Sequence, residues 1–547
     1  MLNNIMNNAL SGINIAQNSS SVISNNISNA NLDGYHRQNV VIGENPGRVT
    51  PHGYLGNGCY ISHVHRENNS LLNKQYNQSL AYRGEYQAYV QNSNQVDNLF
   101  SNDIANIASC IGDFFASLDL FSSDTSDKTL INNFLDKANC LVNQFKEIDH
   151  RLQEMKRGIN YQIESKIKSI NTNIEEITLL NRQITKVRAI GNAEPNDLLD
   201  ARDNLVHKLS SVIGVKVVEQ NGNYNVLISN GLPLVTPEKA NHLAAILSSK
   251  DPQCLSVGFI GENEQPYEIN EEQLSSGELS GSLRSYYEII EPTYQKINKL
   301  ALIFATKINE IHEKGFDIDG NMGKPFFSVG KGYVVGNTTN KGNVDFSLSY
   351  DDVSQIEANN YNLYFNGNSW IATRLPDGNK VVVDDSNPNI LKFDGIELTI
   401  DNNTAKNGDS FLVKPVNNVI SELGNLVNND AKFSVAGSNK CELSDNENIK
   451  ALAELQNKKL IKGNATFTDY YAFLVNDVGN LAKQAQASAD IYNGMTEKFY
   501  QKIQSNSGVN IDEEMIQMQK NQQLFNANAQ VLKVTDNLFN SLMSVFR

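Results

Sequence analysis

Apolar residues step through the first thirty positions in alternating fours and threes: Leu2, Met6, Ala9, Ile13, Ala16, a polar Ser20, then Ile23, Ile27 and Ala30. At the opposite end apolar pairs recur every seven residues, at Leu524/Phe525, Val531/Leu532, Leu538/Phe539 and Val545/Phe546. A seven-residue repeat keeps one seam of a helix facing other helices along its length. Both ends are therefore expected to be helices that pack on helices. The N-terminal stripe is mostly Ala and Ser with scattered Ile, in a background of Asn and Ser that favours caps and turns over helix interiors. Such a helix has little stability alone. No Lys or Arg precedes Arg37, and Asp33 is the only acidic residue before it, so charge does not dictate how copies stack, and crowded, tube-like packing is expected.

Between the ends the period changes repeatedly. Residues 31–62 are rich in Gly, Asn and Pro and read as extended chain and turns. Helical spacing runs over 66–118 and 130–190. The second of these carries a seam through Ile148, Leu152, Met155, Ile159, Ile163, Ile167, Ile170, Ile174, Ile177 and Ile184, long enough for a coiled-coil arm. Short β-like runs such as Val215–Val218 and Tyr224–Ile228 occupy 212–275, separated by Asn-Gly turns. Helix resumes near Tyr286 and ends before Gly315. Alternating segments with Gly-Asn, Asp-Gly and Asn-Pro turns fill 325–440, and a return helix runs from Tyr471 to Phe499.

The fold class implied is α+β multidomain: discontinuous helical, coiled-coil domains formed by both chain ends, with inserted antiparallel β domains. The expected units are 1–62 with 508–547 as a terminal helical region; 63–211, 282–324 and 441–507 as a long-helix bundle; 212–281 as a small β unit; and 325–440 as an outer β-rich domain. Nesting of this kind puts the two termini side by side at one pole.

At 547 residues the chain has room for three or four compact units. A net charge of −15 argues against nucleic acid and anionic membrane as partners, since both attract concentrated Lys and Arg. Five cysteines (Cys59, Cys110, Cys140, Cys254, Cys441) are scattered without a C-x-x-C pair, so no disulfide or zinc framework is indicated. The N-terminus lacks the features of a cleavable secretory signal, and no stretch approaches the roughly 18 apolar residues of a membrane span.

No catalytic constellation emerges. His63 and His65, with Cys59 and Glu67 nearby, could share a strand face and hold a metal, but surface histidines in a loop are the simpler reading. Asp317-Ile318-Asp319-Gly320-Asn321 has a calcium-loop start, yet Met322 and Ser328 stand where the sixth-position Gly and twelfth-position Glu are needed, so a polar turn is expected. Gly277-Glu278-Leu279-Ser280-Gly281 falls one residue short of a nucleophile elbow. No cofactor and no metal are expected. Asp512, Glu513 and Glu514 read as first-turn carboxylates favoured by the helix dipole, and Gly34 and Gly508 as turn or cap glycines.

The segment Ser24–Gln38 resembles the N-terminal signature of bacterial flagellar rod, hook and hook-associated proteins, A-N-N-I-A-N-x-x-T-P-G-Y/F, through Asn25, Asn26, Ile27, Asn29, Gly34, Tyr35, Arg37 and Gln38. Leu32-Asp33 replaces the usual Thr-Pro. Residues Ser507–Met515 and Gln522–Ala529 are similar to the end of the hook-associated protein 1 family, which forms the first layer of the hook–filament junction, and Leu198–Leu205 and Asn309–Asp317 agree with it. Residues 325–440 carry no such resemblance. The resemblance implies a secreted, non-enzymatic axial component of the bacterial flagellum at the hook–filament junction. It implies assembly with adjacent copies through Leu2–Ala30 and Leu524–Phe546, and contact with the hook protein and the second junction protein. It also implies type III export, with an export chaperone on the C-terminal helix. A flagellar scaffold carrying an adhesin or enzyme in 325–440 is the rival, and a generic coiled-coil scaffold a third reading.

Overall fold

The computed structural model describes residues 2–545 except 52, 102–105, 192–193, 250, 262–264, 318, 376, 428–432 and 439–444, and leaves aside the side chains of Leu2, Thr50, Glu272, Asn403 and Val545. Phe546 and Cys441 lie outside the described residues. Among the described residues ten α-helices organise the chain: α1 (Leu2–Asn29), α2 (Ser70–Ser101), α3 (Ile107–Ser123), α4 (Lys128–Gly191), α5 (Asn196–Val212), α6 (Glu278–Ser285), α7 (Glu291–His312), α8 (Glu447–Ala453), α9 (Phe467–Ser507) and α10 (Ile511–Val545).

The chain ends meet at one pole, where α1 and α10 run antiparallel. A hairpin of strands Gln38–Glu44 and Cys59–Arg66 follows α1, in register from Gln38 opposite Arg66 to Glu44 opposite Cys59, with a bulge at Val41/Ile42. His63 and His65 lie on the second of these strands, exposed, rather than in a loop.

Beyond the hairpin, α2 and α9 pack antiparallel. Tyr492 stacks on both Tyr82 and Tyr86, with ring centroids 5.0 and 5.1 Å apart, and the Thr496 hydroxyl donates to the Ser79 carbonyl at 3.2 Å. The 64-residue α4 spans roughly 96 Å at 1.5 Å per residue. Its isoleucine seam is buried from Ile159 to Ile184 against α5, α6 and the small β unit. A π-turn, Tyr286–Ile290, joins α6 to α7 just before Pro292. The helix thus starts at Glu278, earlier than apolar spacing alone indicates. Close packing compensates for its weak helix formers: a Cβ on Gly281 would lie 2.1 Å from the Glu85 carbonyl of α2.

Two three-stranded antiparallel sheets make up the small β unit, one from Val215–Gln220, Asn223–Ile228 and Pro233–Val235, the other from Leu243–Leu247, Leu255–Ile260 and Pro266–Glu268. The outer unit is a sandwich of a five-stranded and a four-stranded sheet. Its core is separate from the main one and centres on Tyr361, Leu363, Trp370, Phe393, Leu398 and Phe411. Residues Val416, Val419, Ile420 and Leu423 return to the main core.

Buried charges seat the sandwich on the bundle. Lys414 is fully buried and pairs with Asp251 at 2.6 Å. Glu291 pairs with Lys156 and accepts from Asn360 Nδ2 at 3.1 Å. Burial opposes ionisation of Glu291, but Lys156 and Lys414 outweigh it and hold the carboxyl down to about 2.

Candidate assembly site at the paired termini

Ala9, Ala16, Ile23 and Asn26 are the buried positions of α1, and Gly12 lies so close to Asn528 that a Cβ there would clash. The facing seam of α10 runs Glu514, Met518, Asn521, Phe525, Asn528, Leu532 and Thr535, a 4-3 spacing that is largely polar. In the pairs Leu524/Phe525 and Val531/Leu532 one member turns toward α1: Phe525 and Leu532 are half-covered, while Leu524 and Val531, with Leu538 further on, face outward. Phe539 is also exposed, at 49 %. On α1 Met6 is exposed and Ile13 and Ile27 are half-buried, as is Ala30 in the turn just past its end. Ile5, Ala527, Val531, Val534 and Leu538 line an open groove of about 390 Å³ along the pair.

The Asn-rich signature closes the base of this pair. Asn26 is fully buried and its amide Nδ2 donates to the Gln38 carbonyl at 2.9 Å and to Glu514 Oε2 at 3.0 Å. Its Oδ1 accepts from the Gln38 N–H at 3.1 Å and from the Tyr35 hydroxyl at 2.9 Å. Burial, with Asp197 and Asp200 nearby, pushes the Tyr35 hydroxyl up to about 12, so it stays a neutral donor. Asn25 Nδ2 donates to the same hydroxyl at 3.2 Å, and Asn29 Nδ2 bonds back to Asn25. Arg37 joins three segments: its N–H donates to the Ser507 carbonyl ending α9, and its guanidinium pairs with Glu513 at 3.0 Å and Glu514 at 2.7 Å. Glu513 and Glu514 thus have a specific cationic partner within the chain, beyond the dipole role expected of them.

A second polar layer fastens this clasp to the bundle. Arg66 bridges Asp200 at 2.7 Å and Asp203 at 2.9 Å, and His36 Nδ1 lies 2.7 Å from Asp200. Burial opposes the charge on Arg66, yet Asp203 and Asp200 outweigh it and raise its pKa. Gly34 takes φ +76°, and Asn204 Nδ2 donates to the Asp33 carbonyl at 2.7 Å beside it. Gly508 has φ −72°, so it is needed for space, its missing Cβ lying 2.4 Å from the Gln504 carbonyl. Asp317 accepts from the Asp319 and Asn321 N–H groups, as a polar turn does.

Three family models match: the flagellar hook-associated protein FlgK helical domain over 93–327, the flagellar hook-associated protein 1 D2-like domain over 335–415, and the flagellar basal body rod FlgEFG protein C-terminal over 500–545. Flagellar hook-associated protein 1 of Salmonella typhimurium is 36 % identical over 557 residues, covering 100 % of both chains. This chain belongs to the flagellar hook-associated protein 1 family. The Escherichia coli K12 member is 35 % identical over 547 residues, again with 100 % of both chains covered. The flagellar hook junction protein FlgK from Burkholderia pseudomallei has the same fold, with TM-score 0.75 at 22 % identity over 79 % of this chain and 100 % of that one. As a member, the chain is a structural component of the flagellar hook–filament junction. The D2-like match falls on the outer sandwich, where the sequence showed no family motif.

Proposed function

We propose that the chain forms the junction layer by self-assembly, each copy contributing its α1–α10 pair to an inner tube. The observation that carries this reading is the outward apolar stripe Leu524, Val531 and Leu538, which the chain's own α1 leaves uncovered. Neighbours in a head-to-tail, non-closing array would bury it. Because, among the described side chains of α10, only Glu514 and Thr535 are buried, the ordering entropy of the terminal helices is poorly offset in one copy, and we infer that they fold on assembly. The hook protein and the second junction protein would flank the layer. Type III export, with a chaperone covering the same stripe beforehand, would deliver the chain to the outside. The sandwich would project outward, presenting Asn362, Lys380, Asp384, Asp385 and Asn387 to solvent, a passive surface.

The test is the double variant Val531→Asp with Leu538→Asp, compared with wild type for incorporation at hook ends. The variant is expected to keep a folded, monomeric bundle and to fail to incorporate. Normal incorporation would overturn the reading.

A further inference from the structure

α3 and α4 form an antiparallel helical hairpin in which Asp113 pairs with Lys137 at 2.9 Å and the rings of Phe114 and Phe134 lie 5.1 Å apart. Three residues back from Asp113 and three forward from Lys137 is the next turn of each helix, on the same face. Those positions are Cys110 and Cys140. The register set by the Asp113–Lys137 pair places the two side chains opposite one another across the hairpin, close enough for each thiol to act on the other's titration. Both are free in the structure, Cys140 exposed and Cys110 half-buried. Cys59, by contrast, sits against Ser11, and Cys254 is buried beside Asp251.

We propose that Cys110 and Cys140 form a redox pair that closes to a disulfide on exposure to peroxide, stapling α3 to α4. Exposed Cys140 meets the oxidant first. Its sulfur attacks one peroxide oxygen, the O–O bond breaks, and water leaves a sulfenic acid. The Cys110 sulfur then attacks the sulfenic sulfur; the S–S bond forms as S–O breaks, and a second water carries off the oxygen and the Cys110 proton. Two thiols and one peroxide give one disulfide and two waters. Burial, reinforced by the neighbouring Cys140, pushes the Cys110 thiol up to about 11, which slows the second step, while Lys137 alongside favours the thiolate that step needs. The staple would restrict the unfolded chain around the α3–α4 turn. It does not depend on how the termini assemble.

The experiment treats the full-length monomer with hydrogen peroxide and analyses non-reduced digests by mass spectrometry, alongside Cys110→Ser and Cys140→Ser variants. A peptide pair joined through 110 and 140 is expected, lost in either variant and after reduction, with the wild-type melting temperature rising about 2–4 °C on oxidation and the variants unchanged. Free thiols after oxidation, further oxidation of Cys140 without cross-linking, or an equal yield of cross-linked product in Cys110→Ser would each overturn the proposal.

Discussion

The side-chain amide of Asn26 donates to the carboxylate of Glu514 at 3.0 Å, a contact spanning 488 positions of sequence and shielded from solvent at both ends. It makes the N-terminal signature a device that docks one chain end on the other. Asn is suited to this place because one amide supplies both donor and acceptor, and Asn26 uses them on Gln38, Tyr35 and Glu514 together. An aliphatic residue of similar size would leave the Glu514 carboxylate and the Gln38 N–H without these bonds.

Asn26→Ala is therefore expected to cost about 1–3 kcal/mol for buried polar groups left unpaired. If the terminal pair orders only in the assembled layer, that cost falls on assembly. The bundle's melting temperature should stay within 1–2 °C of wild type, while the critical concentration for assembly rises roughly ten-fold or more. Sedimentation and calorimetry on the same preparation separate the two effects.

Lys414 carries a buried charge between Asp251 and Glu291, and burial opposes that charge, but the carboxylates outweigh it and raise its pKa. Lys414→Met leaves both carboxylates without this cation and should destabilise the sandwich–bundle junction by about 3–5 kcal/mol. Trypsin cleavage within 330–415 should accelerate before the helical core melts. Wild-type rates would exclude this role.

Acid should weaken the same junction. Glu291 is held at about 2 in the folded chain, below its unfolded value of about 4.3. Its stabilising contribution is thus complete above about pH 4.3 and is lost as pH falls from there toward 2. Glu291→Gln should flatten the stability profile over that interval.

Histidines set a second window. His312 Nδ1 lies 2.6 Å from the Lys324 carbonyl, and Nε2 lies 3.2 Å from the Ser434 N–H, an arrangement that suits the neutral ring. Burial lowers its pKa, partly offset by the Lys324 carbonyl, and burial likewise brings His207 down to about 4 despite Asp203. The unfolded chain therefore binds more protons below about pH 6.5. Stability is complete above that pH and falls as pH drops through it, by up to ~1.4 kcal/mol per pH unit for each histidine. Denaturant midpoints between pH 7.5 and 5 should show this slope, and His312→Gln should reduce it.

Apolar spacing made the long helices legible, because α4 and α9 need a continuous seam to bury and their sequences carry one, and α10 repeats its apolar pairs every seven residues. It could not say which member of Leu524/Phe525 or Val531/Leu532 turns inward, since both are good hydrophobes. Small residues on the partner decide that: Ala9, Gly12 and Ala16 let α10 approach closely on one face, and the α10 seam there includes Asn521, Asn528 and Thr535, invisible to a search for apolar repeats. Asn26, Asp200 and Glu514 were equally hidden as partners, because long-range polar pairing leaves no local period. The start of α6 was obscured by Gly277, Ser280 and Gly281, poor helix formers whose cost is met by contact with α2.

On the proposed assembly, the terminal helices are held by neighbouring copies more than by their own chain. Hydrogen exchange on the dilute, full-length monomer tests it most directly. Residues 2–29 and 511–545 are predicted to exchange within seconds, while α4 and α7 stay protected for hours. Slow, cooperative protection of both terminal segments, equal to that of α4, would contradict it.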